Sequence, residues 1–324
     1  MRRPPIASMS LRALVALAGL GAAAATAAPF AYITNQGSHD VSVIDLATQA
    51  VVATVPVGRS PAGVVASSRA GKVFVSNPDS HDISVIDMRT QAVIGRLEAG
   101  AAPVGIDAAA DGSRVFAADW YGNRLLVFDP ARPAPVARID VGRAPAGVAA
   151  HPDGDTVFVA ERDDDAVAVV SLRDGRVRAR VAVGSHPFAL LHDAARERLY
   201  ALNVQSDDVS VIDLKRLAVI ATVRVGKAPY GAALAGGGGA LLYVTNQHDD
   251  TVSVIDAERL TVVRTLDGFG YPEGIASDGG RVYVVNWMDE RVSVLDALTG
   301  RTLRQIPTGQ NSRGFGAFIG APTP

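Results

Sequence analysis

One stretch, written seven times, constrains this chain more than any other feature. Its clearest copy is Leu242 to Asp256, LYVTNQHDDTVSVID. Two short runs alternate apolar and polar residues on either side of a polar loop, which predicts two half-buried strands joined by a hairpin. The polar residue closing the first run recurs as Asn35, Asn77, Asp119, Glu161, Asn203, Asn246 and Asn286, at steps of 42, 42, 42, 42, 43 and 40 residues. A period held that closely along a whole chain means an array of like units.

Each unit has four strand-like parts. In the second copy they are residues 73–77 (VFVSN), 83–87 (ISVID), 92–97 and, after a Gly-Ala-Ala-Pro turn, 104–109. The apolar period of two excludes a helical solenoid. Four antiparallel strands per repeat of this length make a propeller blade. The expected fold is therefore all-β, a seven-bladed β-propeller spanning residues 28–324. Although 324 residues would ordinarily suggest about two domains, a repeat array overrides that prior.

The repeat positions have physical reasons. Tyr32, Phe74, Phe116, Phe158, Tyr200, Tyr243 and Tyr283 share one register, where an aromatic fills the gap between adjacent blades. Asp45, Asp87, Asp129, Asp213, Asp256 and Asp296 close the VSVID strand, with Ser171 in the odd copy. A strand-end Asp accepts backbone N–H groups and fixes the turn. Gly58, Gly100, Gly142, Gly184 and Gly226 precede each crossing. Pro61, Pro103, Pro145, Pro187, Pro229 and Pro272 then open the first strand of the next blade, a place that tolerates a missing N–H. The mature chain starts at FAYITN, the second strand of a blade, while GFGAFI at 314–319 matches the first-strand register. The tail should complete the blade that Phe30 begins, removing two open edges.

LYVTN with VSVID and VGxxPxG resembles the YVTN β-propeller repeat family of secreted and surface proteins of bacteria and archaea. The resemblance covers almost all of the mature chain. Copies three and four, AADWYGNRLLVFD and VAERDDDAVAVVS, depart most and lose the Thr-Asn pair. It implies the propeller fold and says little of function, since one fold serves many activities.

Residues 1–27 read as a secretory signal: Arg2 and Arg3, an apolar run from Ala13 to Ala25, and the small-residue site Ala25-Thr26-Ala27. Met9 is an alternative start, with Arg12 as the positive flank. A membrane anchor is the competing reading, but the run is too short to span a bilayer. The expectation is a periplasmic or secreted bacterial protein, starting at Ala28 and not membrane-spanning after cleavage. Cleavage would remove three Arg and no acid, leaving a net charge of −5 with His neutral. That balance argues against nucleic acid as the main partner. The absence of Cys excludes disulfides, covalent c-type haem and cysteine-based metal sites. No cofactor motif is present, and a monomer is expected.

Fold-level analogy sends the crossings and the loops after the repeat Asn to one face, around the channel mouth, and turns such as Asp111-Gly112 and Asp153-Gly154 to the other. Of eleven aromatics outside the repeat register, eight fall in the mouth segments: Trp120, Tyr121, Phe188, Tyr230, Phe269, Tyr271, Trp287 and Phe315. Charged residues join them. The expected ligand-binding set is Trp120, Tyr121, Arg143, Glu161, Arg162, Phe188, Tyr230, Tyr271, Glu273, Trp287 and Arg313, with no catalytic or metal residue assigned. Aromatic walls with a few charges in a concavity suit ligand binding. The competing reading makes these aromatics wedges that fill the channel. The Asp runs at 163–165, 207–208 and 249–250 lack a calcium-loop pattern and read as solvated turns, and His39, His81 and His248 lack a third ligand nearby.

Three functions remain. The first is a non-enzymatic binding or scaffold protein with a small molecule or protein at the mouth. The second is a hydrolase of the lactonase type, with Glu161, Asn203 and Asn246 as channel candidates. The third is an accessory partner of a periplasmic quinone or haem system.

Overall fold

In a computed structural model, Met1 and residues 29–322 are described. The expected signal segment, apart from Met1, lies outside the described residues. The described chain forms 28 strands in seven four-stranded antiparallel sheets. Six sheets hold consecutive strands. They make blade 2 (residues 64–98), blade 3 (103–140), blade 4 (145–182), blade 5 (187–224), blade 6 (229–266) and blade 7 (272–307). Blade 1 takes Phe30–Asn35, Asp40–Asp45 and Ala50–Pro56, and its innermost strand is Ile319–Gly320 from the other end of the chain. The first strands of neighbouring blades touch and ring the axis.

The repeat motif builds this from three kinds of bond. Asn35 donates from Nδ2 to Ser42 Oγ at 2.9 Å and to Asp40 at 2.6 Å; Asn77, Asn203 and Asn246 repeat the pattern. The Asn therefore ties the hairpin to the serine of VSVID. Where a Thr or Ser precedes it, the hydroxyl donates to the next blade: Thr34 to the Ala62 carbonyl, Ser76 to Val104, Thr245 to Glu273, at 2.7–3.0 Å. The Asp closing the third strand accepts two backbone N–H groups two and three residues on, as Asp45 does from Ala47 and Thr48. At Ser171, Asp155 supplies the missing carboxylate and accepts the Arg173 N–H at 2.7 Å.

The core lies between blades. Phe74 packs with Ile106, Ala117 and Leu126 of blade 3, and Tyr243 with Val282, Val284 and Leu295 of blade 7. All seven register aromatics are buried. Near the axis the backbones come closer still. A Cβ on Gly105 would collide with the Ala146 carbonyl oxygen, and one on Gly147 with that of Phe188. The glycine of PxG thus sets how tightly the first strands can pack.

The tail closes the ring on two sides. Arg313 N–H donates to the Thr34 carbonyl at 2.8 Å, and Tyr32 N–H to Phe318 at 2.9 Å. On the other flank, Val64 and Ala66 donate to the Phe315 and Ala317 carbonyls, both at 2.8 Å. Phe318 is wholly buried in the cluster with Tyr32 and Tyr283. Among the described residues, no helix is long and apolar enough to cross a membrane.

Candidate functional site

Two register positions make the mouth. The first is the residue after the crossing proline. In blades 3 to 7 the first strand shifts register just after this proline, as between Pro187 and Ala189 and between Pro272 and Ile275. A bulge of this kind re-aims the side chain beside it. The position holds Ala62, Val104 and Ala146 in blades 2 to 4, but Phe188, Tyr230 and Glu273 in blades 5 to 7. In the tail that completes blade 1, Arg313 follows Ser312 in the same place. The throat is therefore filled from one side.

The filling is a packed plug. Phe188 and Tyr230 have ring centroids 4.6 Å apart, and Phe315 lies 5.0 Å from Phe188 and 5.7 Å from Tyr230. All three rings are buried. Arg313 binds Glu273 through Nε at 2.7 Å, donates to the Tyr230 hydroxyl and lies over that ring. Gln247 donates to the other Glu273 oxygen at 2.8 Å. Burial alone would lower Arg313, but the Tyr230 oxygen and the Glu273 carboxylate around it raise it, so it stays a cation. Burial raises the Tyr230 phenol, which stays neutral.

The second position is the residue after the repeat Asn or its substitute; apart from Pro78 in blade 2, it holds Gln36, Trp120, Arg162, Val204, Gln247 and Trp287. These six, the plug's upper side and a few neighbours line one cavity of about 780 Å³. Trp120 and Trp287 are half-buried. Trp120 leans on Phe188, with the Arg162 guanidinium 5.6 Å from its ring centre. Across the mouth, Trp287, Tyr271 and His248 form a row with ring separations of 5.6 Å, and Tyr271 Oη meets His248 Nε2 at 3.3 Å. Tyr271 has φ 53°, left-handed backbone that a non-glycine residue rarely adopts. Asp250 accepts its N–H at 2.9 Å and holds it there. The same clamp joins Asn123 to Ala144, Asp165 to His186 and Asp207 to Ala228.

Of the eleven expected residues, eight line this cavity: Trp120, Arg162, Phe188, Tyr230, Tyr271, Glu273, Trp287 and Arg313. Three do not. Tyr121 points outward and is 76% exposed. Arg143 lies on the surface, bound to Asp164 at 2.7 Å and to the Asp163 carbonyl. Glu161 is fully buried inside blade 4, accepting Gly142 N–H at 2.6 Å and Arg180 Nε at 2.8 Å. It stands where five of the other blades carry Asn, but it fixes the hairpin as an acceptor, whereas the Asn donates to a serine. Asn203 and Asn246 are likewise buried and engaged with Ser210 and Ser253, so the three channel candidates of the hydrolase reading do not reach the channel. Phe269 pads the interface of blades 6 and 7. Gln36, Val204, Gln205, Gln247, His248 and Met288 line the cavity without having been expected. The register of Trp120 and Trp287 contains three of them, a signal passed over because they are neither aromatic nor charged.

Comparison with known proteins supports the fold. Residues 65–156, less than half the chain, match the family model described as YNCE-like beta-propeller. No curated protein matches. Among solved structures, hydrazine synthase of Kuenenia stuttgartiensis is similar at 20% identity and TM-score 0.74, over 88% of this chain and 99% of that one. Dihydro-heme d1 dehydrogenase NirN, in complex with DHE, is similar at 15% identity and TM-score 0.67, over 88% and 74%. A functionally unknown protein from Desulfotomaculum acetoxidans DSM 771 is similar at 14% identity and TM-score 0.76, over 91% and 99%. The chain is a seven-bladed β-propeller, and part of it matches a YNCE-like propeller family.

Proposed function

We propose that this protein is an exported YVTN-type repeat propeller that binds a ligand at the channel mouth and acts by binding rather than by catalysis. One observation carries the reading. Trp120, Tyr271 and Trp287 stand half-buried around a cavity of about 780 Å³ whose floor is fixed by the ion pair of Arg313 with the buried Glu273. Flat apolar faces above a rigid floor suit stacking, and Arg162 with the amides of Gln36 and Gln205 can hold polar edges. The ligand class is a flat or sugar-like molecule with polar edges.

The protein has only two tryptophans, and both line this cavity. Tryptophan emission therefore reports the mouth alone. Titration with a panel of oligosaccharides and aromatic carboxylates should give a saturable change with at least one member. Trp287→Phe should weaken that member about tenfold, with little change in melting temperature. A panel with no saturable response, or a variant that loses stability while keeping affinity, would sink the reading.

A second reading draws on the names of two similar structures, hydrazine synthase and NirN. It makes this chain an accessory of a redox system, with a partner protein seated on the mouth. Copurification of a dehydrogenase or haem protein with the tagged chain from its native cell would favour it.

A further inference from the structure

The plug divides the channel in two. Beneath Phe315 lies a second cavity of about 420 Å³, walled by the later residues of the first strands of blades 3 to 7 and by the tail. Its walls are mainly apolar: Ile106, Leu191, Leu234, Ile275 and Phe315. Two polar residues that line it have unmet bonding capacity. The Asp107 carboxylate accepts only two backbone N–H groups, from Ala108 and Ala150, each at 2.8 Å. An ionised carboxylate has about four acceptor sites. No cationic side chain pairs with it among the described residues. The Nε2 atom of His192 is buried and has no hydrogen-bond partner there.

Several fully buried carboxylates are treated differently. Glu161 holds Arg180, Asp193 holds Arg196 and Glu273 holds Arg313. Asp119 is spent inside its own loop on the N–H groups of Ala101 and Ala102. Asp107 instead presents its free lone pairs to an apolar chamber, where an unpaired charge is costly. Asp107 keeps part of its surface open to solvent, and withdrawal of the rest between the blades pushes it up to about 6 despite its two backbone bonds. A bound cation would supply the partner that the fold omits.

We propose that this lower chamber is a second binding site, for a small organic ammonium ion whose apolar body fills the cavity and whose N–H groups bind Asp107. His192, from blade 5, lines the same chamber. The volume falls within the range of small-ligand pockets. The site is separate from the mouth, since Phe315, Phe188 and Tyr230 stand between them.

Calorimetric titration with benzylammonium, with benzyl alcohol as the neutral analogue of the same shape, tests this. Benzylammonium should bind at least tenfold more tightly than the alcohol. Asp107→Asn should remove that preference. Ala232→Phe, which fills the chamber from blade 6 without touching Asp107, should abolish binding of both while leaving the fold measurable by its melting transition. Equal affinity for the two compounds would overturn the proposal, as would unchanged binding in the folded Ala232→Phe protein. A tryptophan response to benzylammonium that persists in Asp107→Asn would place the amine at the mouth and overturn it as well. None of these outcomes depends on the mouth having a ligand.

Discussion

At the scale of residues, the Arg313–Glu273 pair shows how one charge depends on another. Both side chains are largely withdrawn from water, and each satisfies the other with help from Gln247 and Tyr230. Arg313→Met should destabilise the protein by about 3–5 kcal/mol, because it leaves Glu273 buried without a partner. Adding Glu273→Gln should restore much of that loss, as read by denaturant unfolding. Asp107 gives the opposite case, a carboxyl with no counter-charge. Its native pKa of about 6 lies above the 3.8 of an unperturbed Asp. The native state therefore holds its proton more tightly than the unfolded chain between those values. Its burial costs stability above about pH 6, and that cost is relieved as pH falls toward 4. Relative to Asp107→Asn, the wild type should gain on the order of 2 kcal/mol across that window. A flat difference from pH 7 to pH 4 would remove the argument. Asp153 has the reverse sign. Burial would raise it, but the N–H groups of Thr156 and Asp155 and the Thr156 hydroxyl outweigh that and hold it near 2. Its contribution is present above pH 4 and fades as pH drops toward 2.

At the scale of elements, the tail matters more than its two-residue strand suggests. Residues 312–320 bond to blade 1 on one flank and blade 2 on the other, bury Phe318 and insert Phe315 into the plug. Deleting 314–324 should cost at least about 5 kcal/mol, since it exposes two strand edges and empties two aromatic sites. A truncated protein that melts within a degree or two of the full chain would show that closure is not needed. The pairing was legible from register alone, because FAYITN lacks a first strand and GFGAFI matches one. The tail's second flank against blade 2 was not. It depends on how near the first strands of neighbouring blades approach, which the PxG glycines set in three dimensions. The clamp from each hairpin to the crossing beside it was also invisible. Asn123, Asp165, Asp207 and Asp250 look like ordinary polar turn residues until the fold places each beside a left-handed residue about twenty positions on.

At the scale of the whole molecule, a ring of like blades acquires a one-sided throat through asymmetry. Blades 2 to 4 put Ala or Val at the throat, and blades 5 to 7 with the tail put Phe, Tyr, Glu and Arg there. Export is the other whole-molecule expectation. Intact mass of the periplasmic form should place the first residue at Ala28, within a residue or two; a membrane fraction retaining residues 1–27 would refute it. The sequence by itself determined the blade count and the strand order. Those follow from a period of about 42 residues and an alternation of two, both local properties of the chain. Only the tertiary structure decided which mouth residues are walls and which are wedges. Phe188 and Trp120 look alike as mouth aromatics, but Phe188 sits in a bulge that turns it into the throat, where the rings of Tyr230 and Phe315 cover it. Glu161 looks like a mouth charge, but Arg180 from the fourth strand of its own blade draws it inside. Those outcomes rest on contacts between residues far apart in the chain, which no local pattern records.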